Sequence, residues 1–497
     1  MRNLLFALCS LLLAGAAPAV AQDGRWVRVE SEGFIVYGAA SEQSLANVAR
    51  ELEVFDGLLR RMTGAGAERS PTKLEVYLLD SDRFGDVFPD MRSSIAGVYT
   101  ARVDQIAAFA IFTDRGGLDG REILFHEYAH HFMYQYFANA YPAWYIEGFA
   151  EFVSTAVLGS ERIVLGRSSE GRFYSLRNDT WLPMERLLTA TPHELSSAEA
   201  ATFYAQSWLF THYLVLTPGK MAQFEAYVSA LRQGQEPAAA LQVGFGMTPE
   251  QMQGELRRYY RGSPNALALT RPAGVERSPM RVTRMPFSAN ALLPLMARLK
   301  RGAVSEDEAP AFLARIRQAA GTAPADRYAL VSLAYAEAEL GDRTAARALL
   351  EPHLAASPDD AEALYVMGLT YLRDAGDASG EERLTLLSQA RRHFARAYRI
   401  DQNYVPAVYR YAESYDGVRM DQATFDNYLN VLLLARHLAP QVDEITISAA
   451  YALIGAERHA EAIPPLRALA YDPHGGASAE LARRLLSEAE TAAAAAR

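Results

Sequence analysis

Apolar positions change their spacing along this chain, and each change marks a different kind of structure. Residues 26–29 and 34–37 alternate apolar with polar side chains and carry β-branched residues, which predicts two short strands. Over 41–62 the spacing becomes helical, through Leu45, Val48, Leu52, Phe55, Leu58 and Leu59, with Ser41 placed to cap the helix. Residues 73–79 read as a strand. The apolar run 105–112 reads as another, either buried in the core or forming the rim of a cleft where an extended peptide adds by backbone pairing. Helical spacing returns in 121–153, broken at Asn139-Ala140-Tyr141-Pro142, and persists over 221–262, where Pro249 follows Thr248 at a helix start. A small sheet with helices against it defines an α+β domain over 22–262. Residues 263–294, rich in Pro, Ser and Arg without sustained period, read as a linker.

The chemistry concentrates in 121–153. His126-Glu127-Tyr128-Ala129-His130 is an H-E-x-x-H pattern inside a helical run over 122–132. Residues four apart share a helix face, so His126 and His130 present two imidazoles to one point. Glu147 lies 17 positions after His130 on the next expected helix and offers a carboxylate. Two imidazoles and a carboxylate are the ligands of a catalytic zinc whose fourth position stays open to water, so Zn2+ is the expected cofactor. Glu127, beside that position, is the candidate general base. Glu151, one turn beyond Glu147, is a candidate to accept a hydrogen bond from a ligand histidine and fix its tautomer. His131, about 100° around the helix from His130, is assigned to structure or surface. The bland alternative is a pair of half-exposed histidines on an ordinary amphipathic helix.

The segment HEYAHHF followed by WYIEGFAEFV resembles the gluzincin metallopeptidases, in particular the peptidase-MA-like group related to thermolysin and the zinc aminopeptidases. The resemblance covers residues 26–261 and is specific around the two metal helices. It implies a zincin-like fold, peptide-bond hydrolysis, and Glu147, from the W-x-x-E-G-x-A segment, as third ligand. No G-x-M-E-N segment of the kind that holds a free N-terminus is present, so aminopeptidase activity is unsupported. Tyr204 resembles the tyrosine that heads a helix downstream of the metal site in the aminopeptidases. Such a phenol steadies the oxyanion formed on carbonyl attack. His212 and Tyr213, further along the same segment, are rival donors.

From about residue 291 the chain turns Ala/Leu/Arg-rich and repeats. Leu330, Leu333 and Ala334 are answered 34 positions later by Leu364, Met367 and Gly368. Further units follow, one with an insertion near 375–384, one ending at Pro440, and a degenerate fourth ending at Pro473. The pattern resembles tetratricopeptide repeats and implies an all-α solenoid over 295–490 with a surface suited to a protein partner or to a neighbouring domain.

Composition narrows the setting. Met1-Arg2, an apolar run and Ala19-Val20-Ala21 predict a signal peptide over 1–21, cleaved after Ala21, and a periplasmic or secreted protein. The only cysteine, Cys9, leaves with it, so disulfides and thiol chemistry are excluded from the mature chain. The formal charge of −10 becomes one unit more negative when Arg2 is lost. No basic tract stands out, so neither nucleic acid nor an anionic membrane surface is an expected partner. Two functions remain: a zinc peptidase of the cell envelope acting on peptide or protein, or an envelope scaffold whose repeats bind protein while the metal-site domain is inactive or structural.

Overall fold

Alternate side chains of the first strands point to one apolar face, and that face recruits the helices that follow. The computed structural model describes residues 25–66, 69–91, 95–112, 118–137, 141–262, 265–271, 279–472 and 476–495. The expected signal segment, Asn139-Ala140 and Pro473 lie outside them. In chain order the elements are β1 (Val27–Glu30), β2 (Phe34–Gly38), α1 (Glu42–Thr63), β3 (Leu74–Leu79), α2 (Ser81–Val87), β4 (Gly97–Arg102) and β5 (Gln105–Ile111). Then come α3 (Leu118–Tyr136), α4 (Ala143–Ser154), β6 (Val157–Leu158), β7 (Arg162–Leu165), α5 (Glu170–Asn178) and α6 (Met184–Thr189). The domain continues with α7 (Ser197–Leu216), α8 (Lys220–Arg232), α9 (Pro237–Phe245), α10 (Pro249–Arg261), β8 (Leu267–Thr270) and β9 (Arg281–Arg284).

Six strands form one mixed sheet in the order β4-β5-β3-β2-β1-β9. Val29, Val36, Val76 and Ala108 share a core with α1 and α3 on one face, while Tyr77, Leu79 and Phe109 meet α2 on the other. Ser41 caps α1, its hydroxyl accepting from the Ser44 amide at 3.1 Å. The run over 105–112 is β5, flanked by β3 and β4 and almost wholly buried, hence a core strand. The rim belongs instead to β4, an edge strand with half-exposed positions throughout except its exposed last residue. The expected linker carries two strands: β8 pairs with β7 and β9 with β1. Both are short and largely exposed, so no core alternation advertises them.

The remainder is helical. The pairs are α11 (Ala289–Lys300) with α12 (Ala309–Gly321), α13 (Arg327–Leu340) with α14 (Arg343–Ala356), and α15 (Ala361–Asp377) with α16 (Gly380–Ile400). These are followed by α17 (Val405–Glu413) with α18 (Gln422–Leu438), α19 (Asp443–Gly455) with α20 (His459–Ala470), and a final α21 (Gly476–Ala495). Small residues sit where paired helices touch: a Cβ at Gly368 would fall 2.6 Å from the Phe394 ring. The insertion near 375–384 lengthens α15 and α16 rather than forming a loop. The solenoid is not a separate body. Ala289, Leu293 and Ala297 of α11 cover the second face of the sheet, and α17 to α21 merge with the core around α3 and α4. Among the described residues no helix is long and apolar enough to cross a membrane.

Candidate metal centre

Helix α3, which carries His126 and His130, is anchored from behind. Phe125 stacks on Phe55 of α1, and the Tyr128 hydroxyl donates to Asp56 at 2.7 Å, which turns the opposite face, with His126 and His130, toward the cleft. Helix α4 starts after Pro142, whose extended backbone closes the turn, and carries Glu147. The close approach of α4 and α7 depends on Gly148, where a Cβ would lie 2.3 Å from the Ser207 carbonyl oxygen and from the Thr211 hydroxyl. That approach brings Tyr204, near the start of α7, to the cleft.

His126, His130 and Glu147 converge, with one donor atom of each within 4.8 Å of the others. Nε2 of His126 lies 3.1 Å from Nε2 of His130. The Glu147 Oε2 lies 3.4 Å from the first and 3.5 Å from the second. Donors about 2.0–2.1 Å from a tetrahedral ion stand about 3.3 Å apart, so this triangle has the dimensions of one tetrahedral face. The three side chains could therefore hold a metal ion, with donor types suited to a borderline-soft divalent cation. Burial opposes a charged His126, yet Glu147, Glu151 and Glu127 together outweigh it and raise its pKa to about 9, a measure of the negative field a cation would meet.

Around the triangle, the Glu151 Oε1 lies 3.4 Å from Nδ1 of His126. Arg172 of α5 clamps the same carboxylate with two hydrogen bonds of 2.8 and 2.7 Å, fixing it beside the imidazole. Arg172 was not legible in the sequence: it sits on a short polar helix and no motif marks it. Glu127 is half-buried, lines the cleft and stands outside the ligand triangle. Gly97, the first residue of β4, lies against it: a Cβ there would be 3.0 Å from the Glu127 Oε1 and 2.3 Å from the Ile123 Cγ2. His131 is buried, faces the Tyr99 hydroxyl at 3.2 Å, and burial lowers its pKa to about 3, as suits a structural residue.

Of the three candidate oxyanion donors, Tyr204 alone lines the cleft, its ring 6.4 Å from that of His126. The charge on Glu147, then burial, then Glu151, raise its pKa far above the usual phenol range, so it stays protonated and can donate. The structure sets the rivals elsewhere. His212 is fully buried with Nδ1 at 2.8 Å from the Tyr259 hydroxyl, and Tyr213 is buried against Lys220 and Glu255.

The cleft has a volume of about 910 Å³. Its near wall is β4 and α3. Its far wall, invisible to sequence reasoning, comes from the repeats: Gln441 to Glu444, Ile447, Ser448, Asp472, Ala477 and Ser478. The Tyr134 hydroxyl, one turn beyond His130 on α3, bridges the two walls by donating to Asp472 at 2.9 Å.

Residues 305–415 match the family described as Tetratricopeptide Repeats-Sensor, and this stretch is a run of TPR-type repeats. Solved structures similar to this chain include a thermophilic TPR protein of Thermus thermophilus, with 23% identity, 40% of this chain and 97% of that one covered, and a TM-score of 0.33. A point mutant of MamA is similar at 18% identity over 37% of this chain and 97% of that one, with a TM-score of 0.26. No curated protein matches this chain in sequence.

Proposed function

We propose that this chain is a zinc-dependent peptidase of the cell envelope. The observation that carries the reading is the His126–His130–Glu147 triangle, with edges of 3.1, 3.4 and 3.5 Å and Glu127 beside it. The triangle has three members, whereas a closed structural zinc site takes four, often cysteines, and Cys9 is the sole cysteine of the chain. A zinc ion bound there would supply a Lewis acid for the scissile carbonyl and a water of lowered pKa at its open position. Glu127 is the side chain placed to accept a proton from the attacking water and to return it to the leaving amide nitrogen. Tyr204 donates its hydroxyl hydrogen to the carbonyl oxygen as negative charge develops there. The free edge of β4, starting at Gly97 beside Glu127, offers backbone groups to an extended substrate. Glu151 and Arg172 hold His126 in orientation. The envelope setting rests on the reading of residues 1–21 as a leader, from the Met1-Arg2 end, the apolar run and Ala19-Val20-Ala21.

A second reading is favoured by the match of residues 305–415 to a repeat family: a scaffold that binds protein through its repeats, with an inactive metal-site domain. Metal analysis together with a casein or peptide digest separates the two. The peptidase reading expects zinc in the purified protein and hydrolysis that falls by about 10²–10⁴-fold in Glu127→Gln while zinc stays bound. Equal behaviour of Glu127→Gln and wild type in every digest would leave the scaffold.

A further inference from the structure

One guanidinium touches both halves of the candidate centre. Arg172 stands in the first turn of α5, whose start is fixed by Ser169: the serine hydroxyl accepts from the Arg172 amide at 3.3 Å. The helix packs against α7, the element that carries Tyr204. Nε and Nη2 of Arg172 engage Glu151 along one edge of the planar group, and that fork fixes the plane of the guanidinium as well as its position. With the edge committed, the face remains, and the Tyr204 ring lies under it, 4.8 Å from Cζ to the ring centroid. A cation over an aromatic face is held there by the ring quadrupole, more firmly where water is scarce. Three quarters of the Arg172 side chain is out of solvent and Tyr204 is half-buried.

An independent observation comes from the phenol. The Tyr204 hydroxyl makes no hydrogen bond to another described residue. Its ring meets two others at a steep angle, Phe203 at 5.9 Å and His126 at 6.4 Å. Two torsions place a phenol, and contacts of that kind constrain them loosely. A flat group pinned at its edge constrains them well. Glu151, the group that pins it, lies 3.4 Å from Nδ1 of His126. Ligand imidazole and oxyanion donor, carried by α3 and α7, are thus referred to one rigid fork.

We propose that Arg172 is the positioning residue of the oxyanion donor, holding the Tyr204 phenol in register with His126 through its grip on Glu151. The proposal rests on the peptidase reading for its purpose and adds to it a role of Arg172 on Tyr204. Two measurements test it. In metal-free, fluorotyrosine-labelled protein, the Tyr204 fluorine resonance is assigned by its loss in Tyr204→Phe. Arg172→Lys keeps a positive charge and a donor for Glu151 but has no planar face, and it is expected to shift or broaden that resonance. In the zinc-loaded enzyme the same replacement is expected to lower kcat about tenfold with KM and zinc content little changed. Where Tyr204 is already Phe, it should lower kcat by less than about twofold. A residue that only docked α5 would lower kcat alike in both backgrounds. Arg172→Gln, which also lacks the charged face, gives the same pattern and stands in if the lysine variant misfolds. An unmoved resonance, or losses that multiply in the double variant, would overturn the proposal. The two readings fail separately: a resonance that moves in a protein no form of which cuts removes only the peptidase, and cutting with an unmoved resonance removes only the positioning role.

Discussion

Tyr204 sits in the field of two carboxylates, and that field is what keeps its proton available as a hydrogen-bond donor. Tyr204→Phe retains the ring, which packs beneath the Arg172 guanidinium at 4.8 Å, and removes only the hydroxyl. Turnover is expected to fall about 10²-fold with zinc content unchanged; unaltered turnover would strike this residue from the mechanism. At this scale the sequence was informative where a spacing of four sets two side chains on one helix face. His126 and His130 are four apart, and Glu147 and Glu151 repeat that interval, so both pairs could be placed before any coordinates. Arg172, Gly97 and Gln441 could not be, because each reaches the site from a separate element by tertiary packing alone.

Between elements, close approach is set by missing atoms and by charge. Gly148→Ala would push α4 from α7 at the Ser207 carbonyl, and a loss of about 1–3 kcal/mol in chemical denaturation is expected. Asp360 caps α15 and ties three helices: its carboxylate receives Arg327 at 2.7 and 2.6 Å and His353 at 2.8 Å. Burial pushes its pKa up, but these partners and the Ala363 amide hold it down to about 2, below its ordinary 3.8. A depressed carboxylate stabilises the folded chain at pH values above 3.8 and loses that contribution as pH falls toward about 2. Asp360→Asn should thus cost about 1 kcal/mol near pH 7, allowing for the exposed Arg327, and the gap to wild type should close across that acid window. A gap independent of pH would mean that the carboxylate charge does not carry the effect. β1 and β2 were legible from their alternation and β5 from its apolar run, while β7, with a buried face of only Ile163 and Leu165, was not. β4 and β9 were not, since edge strands half or wholly in solvent carry no period-two signal.

Across the whole molecule, the repeat spacing announced a solenoid but not what it would embrace. The turn between β4 and β5 reaches the face made by the first helices of successive pairs: Asp104 accepts from Tyr365 of α15 and from Arg410 of α17, the latter at 2.9 Å. Part of the surface expected for a partner is thereby filled by the chain's own hairpin, the one that bears the cleft edge. Contacts 261 and 306 residues apart leave no local trace in sequence. Arg410 is 6% exposed and Asp104→Asn removes one of its carboxylate partners while Glu413 at 2.6 Å remains. A loss of about 1–2 kcal/mol is expected, read by thermal unfolding, with one cooperative transition for the whole chain because the cores are shared. Two well-separated transitions would mean that the halves fold independently.

The bridge from Tyr134 to Asp472 spans 338 positions of sequence. A ribosome thus finishes the helix bearing the imidazoles long before it makes the opposite bank, and a nascent chain halted between Glu147 and Gln441 carries all three ligand candidates without that bank. The ligand candidates and the wall opposite them are in this way separated in time, the wall arriving only with α19 and α21.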